Sequence, residues 1–243
     1  YKSVGGHLSP KGSISYRFLK KSWIKLLYGE AFRAPNFWEL NKQGTLFWVE
    51  GNPDLKPEVV RNIELIFSTY FTEKINWRTS FYGYTLKDNI QKQSYEVDEW
   101  WVDQWENVEG LTGMGVETEM KFNHKGYNGY GNFSYSDVRH DVNDERIELT
   151  PQWIAKLGAS KRVMDFATIG IETQMIGARL KALGNPAQAI EGYEPQLSPY
   201  NLVNLTISDI KLKNLVVLSF SVYNLFNSKY EHPSFAGDLA SYN

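Results

Sequence analysis

Long segments of this chain alternate residue by residue between apolar and polar side chains, and that period admits few folds. Val216, Leu218, Phe220 and Val222 alternate with Ser219 and Ser221. Val203, Leu205 and Ile207 oppose Asn204, Thr206 and Ser208, and Ile169, Ile171 and Met175 oppose Gly170, Glu172 and Gln174. The rhythm recurs over residues 153–160, 114–122, 63–68 and 24–29. Successive side chains of an extended strand point to opposite faces, so this period reads as strand with one apolar face. About ten such segments, each ~9–13 residues long, are present, and none carries a convincing helical period.

The connections alternate in length. Short ones sit near Lys20-Lys21, residues 72–74, 123–126, Met164-Asp165 and 211–213. Long ones cover residues 32–58, about 92–107, 139–150 and 181–199, and another starts at Asn227. An up-and-down antiparallel meander gives this pattern when one rim is plain and the other elaborated. Alternation alone leaves open which face is wet: the apolar face is the core of a soluble sandwich, but meets lipid in a membrane barrel. Three features favour the barrel. The polar faces carry Glu, Gln, Lys and Asn. Aromatic residues gather at strand ends (Trp23, Tyr28, Phe71, Trp77, Tyr127, Tyr135, Trp153, Phe166, Tyr200, Tyr223), as in interfacial girdles. The strands exceed the usual ~5–6 residues of soluble sheets and are long enough to cross a bilayer when tilted. The expectation is an all-β, antiparallel, up-and-down transmembrane β-barrel wall, with Leu218 and Phe220 outward and Glu117 and Glu172 inward. A soluble all-β binding module is the alternative.

Composition removes other classes. A net charge of −2 and the absence of any basic cluster argue against nucleic acid as partner. With no Cys, disulfides and thiolate metal sites are excluded. The 4 His form no spaced pair, so no metal or cofactor motif appears. No apolar run reaches ~18 residues, which excludes a transmembrane helix. No signal peptide opens the chain. No nucleophile–base arrangement, Gly-x-Ser-x-Gly or phosphate loop nominates an enzyme.

One long connection breaks the alternation. It opens with YGEAFRAP (28–35), closes with GNPDLKPE (51–58), and is followed by Glu64. Ala34-Pro35 and Asn52-Pro53 hold the residue before each Pro in extended or turn backbone, and Asn52 and Asp54 are turn formers. Turn chemistry alone suffices to make both ends structural punctuation for a loop leaving and re-entering a wall. Together with VYNLFN (222–227) and Lys229-Tyr230, these boxes resemble those of TonB-dependent outer-membrane receptors. The resemblance implies a 22-stranded barrel with an N-terminal plug in a Gram-negative outer membrane. It implies import of a ferric siderophore or another scarce nutrient such as haem or cobalamin, energised by the TonB complex through the plug. The plug, its TonB box, the first barrel half and the last strand have no counterpart here. Residues 1–243 therefore read as a C-terminal portion, about ten of 22 strands. Two unpaired strand edges would be intolerable in hydrocarbon, so the portion is expected to be completed by another piece and not to transport alone. A passive structural or adhesive barrel, or an outer-membrane hydrolase, are the competing readings.

Candidate ligand residues lie on the long-loop rim. Arg33 suits an anionic ligand, and equally a lumen carboxylate such as Glu30 or Glu64. Trp38 and Trp48 lie inside the boxed loop. Haem receptors of the resembled family carry a His in that interval; none stands between Pro35 and Asn52 here, which points away from haem. Trp100, Trp101 and Trp105 suit stacking on a flat ligand, packing against neighbouring loops, or the membrane interface. Arg139 and Arg179 suit anionic ferric complexes, solvated loop positions or lipopolysaccharide phosphates. His140 is the best remaining single ligand, against a solvated loop role. Outer-membrane lipid and lipopolysaccharide are the other expected partners.

Overall fold

The structure is a computed structural model that describes residues 7–42, 49–97, 100–163, 166–181, 196–212, 215–232 and 240–242. In chain order the elements are β1 (Lys11–Leu19), β2 (Ser22–Arg33), α1 (Phe37–Asn41), β3 (Val49–Glu50), β4 (Glu58–Tyr70), β5 (Ile75–Lys87), β6 (Asn89–Val97), β7 (Trp100–Val108) and β8 (Leu111–His124). There follow β9 (Tyr127–His140), β10 (Trp153–Val163), β11 (Ala167–Ile176), β12 (Arg179–Leu180), β13 (Gln196–Leu197), β14 (Tyr200–Leu212), β15 (Val216–Val222), β16 (Tyr230–His232) and β17 (Ala240–Tyr242).

Ten strands form one sheet in the order β1-β2-β4-β5-β8-β9-β10-β11-β14-β15. Every neighbouring pair is antiparallel, as an up-and-down meander requires. Registers run unbroken across most pairs, so one face can be traced through the sheet. Leu26 lies opposite Leu65, Leu65 opposite Phe81, and Phe81 opposite Val116. Further on, Ala159 lies opposite Ile171, Ile171 opposite Leu205, and Leu205 opposite Val222. This face is apolar and uncovered: Met114 is 61 %, Ile171 51 % and Phe220 61 % exposed. A soluble sandwich would bury these side chains under a second sheet. Among the described residues no second sheet covers them, and buried apolar side chains are few and scattered. An apolar surface this extensive belongs against lipid. The chain is thus the antiparallel wall of a transmembrane β-barrel; among the described residues no helix is long and apolar enough to cross a membrane.

Leu218 and Phe220 share the apolar face, and Glu117 and Glu172 take the opposite one. That inner face is polar and tightly tiled. The Tyr130 ring lies across Gly158, where a Cβ would collide with it, and its hydroxyl donates to Glu172. Tyr82 lies likewise across Gly115. A depression of about 530 Å³ beside Tyr130 is lined by Lys121, Asn128, Tyr130, Glu172 and Asn204.

The plain rim is made of tight turns. Lys125 and Gly126 carry φ of 47° and 79°, the two-residue turn whose twist matches the flanking strands. Met164-Asp165 and the end of the 211–213 turn fall outside the described residues. The aromatic expectation needs one correction. Tyr28, Trp77, Tyr127, Tyr135 and Trp153 sit on the lipid face, but register places Trp23 and Tyr200 on the inner one. Strand ends alone do not tell the two faces apart.

Candidate functional site

The long-loop rim holds two structures that the alternation did not reveal. The first is α1. Its N-cap Asn36 accepts from the Glu39 N–H at 3.0 Å, and the Glu39 carboxylate accepts from the Asn36 N–H at 2.7 Å. This reciprocal capping box satisfies two backbone donors that a helix start leaves open. The second occupies residues 92–107, which read as a loop. It is a hairpin, β6 with β7, and β3 adds to β7 in parallel to make a three-stranded sheet. Polar pairs interrupt any apolar alternation: Lys92 pairs with Asp103 at 3.6 Å, and Ser94 donates to Asp103 at 2.6 Å, while Ile90 and Val49 are buried.

The boxed loop is closed by one arginine. Arg33 Nη1 donates to both Glu39 oxygens at 3.0 Å, and its Nε donates to Glu58. The partners expected, Glu30 and Glu64, are not the ones found. Glu30 lies on the lipid-face register with Arg61, accepts from it at 2.6 Å, and bonds His7 at 2.7 Å. Arg33 points the other way on its strand, toward Glu58 at the end of the second box. Planar guanidinium geometry lets it serve two carboxylates at once.

The second box then docks on α1 through its backbone. Gly51 N–H donates to Lys42 O, and Asn52 N–H to Glu39 O, both at 2.7 Å. A Cβ at Gly51 would stand 2.6 Å from the Lys42 nitrogen and 2.7 Å from that of Asn41, so only glycine fits. The Asp54 N–H donates to the Asn52 side chain at 2.9 Å, which forms the turn, and Leu55 is buried beneath it. Glu58 accepts from Ile90 N–H at 2.7 Å. Asn107 accepts from Lys56 N–H at 2.7 Å and donates to the Lys56 and Asp88 carbonyls at 2.9 and 2.8 Å. Box, helix and hairpin are therefore one hydrogen-bonded body. A crossing takes about 9–11 residues of strand, so counted from Tyr70 it is complete before Glu58. Burial pushes the Glu58 carboxyl up; hydrogen bonds from Arg33 and Ile90 more than offset this and hold it below the usual carboxylate range.

The candidate residues do not converge. Trp38 is 67 % exposed on α1, and Trp105 is half-buried in β7. Trp48 and the side chains of Trp100 and Trp101 lie outside the described residues. Arg139 pairs with Asp137 at 3.0 Å and Asp144 at 3.2 Å. His140 Nδ1 approaches Glu109 at 3.1 Å without an aligned hydrogen bond. Arg179 is buried on β12, donates to Glu231 O at 2.8 Å, and lies 5.0 Å from the Tyr200 ring centroid. No hydrogen bond or ion pair joins Arg33, Arg139 and Arg179 to one another among the described residues. Glu39 and Asn107, which hold the rim, were not among the candidates. The Asn36-x-x-Glu39 spacing signals the first; nothing local signals the second. Among the described residues no group of His, Asp and Glu could hold a metal ion.

Comparison with known proteins follows the geometry. Residues 1–225 match the family described as TonB dependent receptor-like, beta-barrel. The chain is 24% identical over 235 residues to the vitamin B12 transporter BtuB of Vibrio cholerae serotype O1, covering 95% of this chain and 35% of that protein. It spans about a third of the length of the curated relatives it matches. Among solved structures, the ferric enterobactin receptor PfeA of Pseudomonas aeruginosa, in complex with enterobactin, superposes with a TM-score of 0.77 at 20% identity, over 98% of this chain and 38% of that one. The copper transporter OprC gives a TM-score of 0.73 at 17% identity, over 96% of this chain and 37% of that one.

Proposed function

Because the chain belongs to the TonB-dependent receptor β-barrel family, we propose that residues 1–243 are the C-terminal portion of an outer-membrane uptake receptor. The whole receptor binds and imports a scarce nutrient, a ferric siderophore, in a Gram-negative outer membrane. Long-rim loops take the ligand from outside, and inner-face polar groups pass it inward once TonB acts through a plug.

The observation that carries this reading is the division of the wall. One face is apolar and exposed, the other polar and tiled, and the extracellular loops on one rim are knit into a body by Arg33 and Asn107. A soluble binding module does not expose such a face. The relatives named above are transporters and receptors, not enzymes. The missing His between the boxes favours an iron complex other than haem. Cobalamin is the second reading, on the likeness to a vitamin B12 transporter.

The test is growth of a strain whose only route for iron is the full-length receptor, on a panel of single iron sources. Growth on ferric siderophores supports the reading, and growth on haem alone sinks the siderophore assignment. Cobalamin-dependent growth without any iron phenotype selects the second reading.

A further inference from the structure

The lipid face is not evenly filled. Across four neighbouring strands, Phe122 lies opposite Gly129, Gly129 opposite Ala159, and Ala159 opposite Ile171. Neighbouring strands lie about 4.8 Å apart, so two small residues between two large ones open a trough of acyl-chain width. One row nearer the plain rim, Tyr127 lies opposite Lys161, and Lys161 opposite Ile169. These side chains line an apolar groove of about 460 Å³, and Lys161 is its one charged lining residue. Lys161 closes the rim end. It is exposed, its ammonium lies 4.7 Å from the Tyr127 ring centroid, and no carboxylate pairs with it among the described residues. Two more cations flank it. Arg162 follows in sequence, and its N–H donates to Gly126 O at 2.8 Å, which draws the Lys125-Gly126 turn against the end of β10. Lys20, Lys21 and Lys211 stand at other turns of the same rim, although the whole chain carries a net charge of −2.

We infer that this groove binds an anionic glycerophospholipid of the periplasmic leaflet, with one acyl chain over Gly129 and Ala159 and the phosphate at Lys161, beside Lys125 and Arg162. The inference goes beyond nutrient uptake and takes from that reading only the orientation, long rim outside. Barrels of this kind turn their short connections to the periplasm, where the leaflet is made of phospholipid. Chain and headgroup each have a counterpart in the groove. Its floor is apolar and already faces lipid, so an acyl chain settles there without desolvating any polar side chain. Its rim end pairs a lysine with a tyrosine, side chains whose apolar stems and polar tips suit the headgroup layer. Charge selects between headgroups. A zwitterionic lipid brings its own ammonium beside the phosphate and gains little from more cations; phosphatidylglycerol brings the phosphate alone. A lysine beside an anionic lipid is worth about fivefold in binding. Added salt screens that contribution, so the preference falls as ionic strength rises.

The experiment uses the full-length receptor in detergent micelles, titrated with phosphatidylglycerol, phosphatidylethanolamine or lipid A, with bound lipid counted by native mass spectrometry. Lys161→Gln, Lys161→Arg and Ala159→Leu are compared with wild type. All three changes lie on the lipid-facing surface, so the heat-modifiable folded band persists in each. Wild type should retain phosphatidylglycerol over phosphatidylethanolamine, and Lys161→Gln should cut that preference about fivefold while Lys161→Arg keeps it. Ala159→Leu fills the trough without changing charge and should lower retention of both phospholipids. Equal retention of the two phospholipids by wild type, an unchanged preference in Lys161→Gln, or unchanged retention in Ala159→Leu each overturns the inference. So does a wild-type preference for lipid A, which belongs to the opposite leaflet.

Discussion

The two rims of this wall are built by different chemistry. The plain rim turns in a few residues, with positive φ at Lys125 and Gly126 and only short-range bonds, such as the Lys74 and Ile75 N–H groups donating to Thr72 Oγ1. The elaborate rim is held by side chains reaching backbone and carboxylates: Arg33 to Glu39 and Glu58, Asn107 to Lys56 and Asp88. The wall between them depends on which face a residue takes, hardly on which apolar residue it is. The loop body depends on individual atoms. Substitutions should therefore spread their effects through the wall but confine them on the rim.

The strongest break is on the lipid face. Ile171 sits mid-strand there, and Ile171→Arg should cost about 2–4 kcal/mol at the bilayer midplane, seen as loss of the heat-modifiable folded band. The neighbouring inner-face change Glu172→Gln, which keeps a weaker partner for Tyr130, should cost no more than about 1 kcal/mol and leave that band in place. Equal damage from both would mean that the faces are misassigned.

Next is Arg33→Ala, which strands two carboxylates. Discounted for the exposure of the arginine, it should cost about 1–2 kcal/mol, all of it local. Hydrogen exchange at Gly51 and Asn52 and protease cleavage between the boxes should rise, with the folded band unchanged. A lost band would show that the rim supports the wall after all.

Asn36→Ala removes the helix cap and should cost about 1 kcal/mol, again read by exchange at the amides of α1. The smallest effect is with pH. Glu58 has its carboxyl lowered in the folded protein. Its stabilisation is full above the ordinary carboxylate range and fades as pH falls through and below it. The protection of Ile90 N–H relative to its intrinsic exchange rate should fall on acidification, and Glu58→Gln should abolish that dependence.

This division also explains what was legible. Ten wall strands could be read because lipid on one side and polar lumen on the other impose a period of two at every turn of the meander. Residues 92–107 could not, because β6 (NIQKQSYEV) and β7 (WWVDQWENV) mix apolar, polar and charged side chains without a period of two. The five-residue helix α1 is too short to show a helical period, although its capping pair stood in plain letters at Asn36 and Glu39. The two boxes were legible as turns. The partner of Arg33 was not, since Glu39 lies six residues away and Glu58 twenty-five, and only the register decides which carboxylate faces it.

The bond between Asn107 and Lys56 joins residues 51 positions apart. Local contacts close quickly and distant ones wait until the intervening chain is ordered. Lys56 meets Asn107 only after β4, β5 and the hairpin have found their places, so the rim is the last part of this region to set. Its amide is then a natural clock for assembly: slow exchange at Lys56 marks the moment when insertion is finished and the outer mouth takes its working shape.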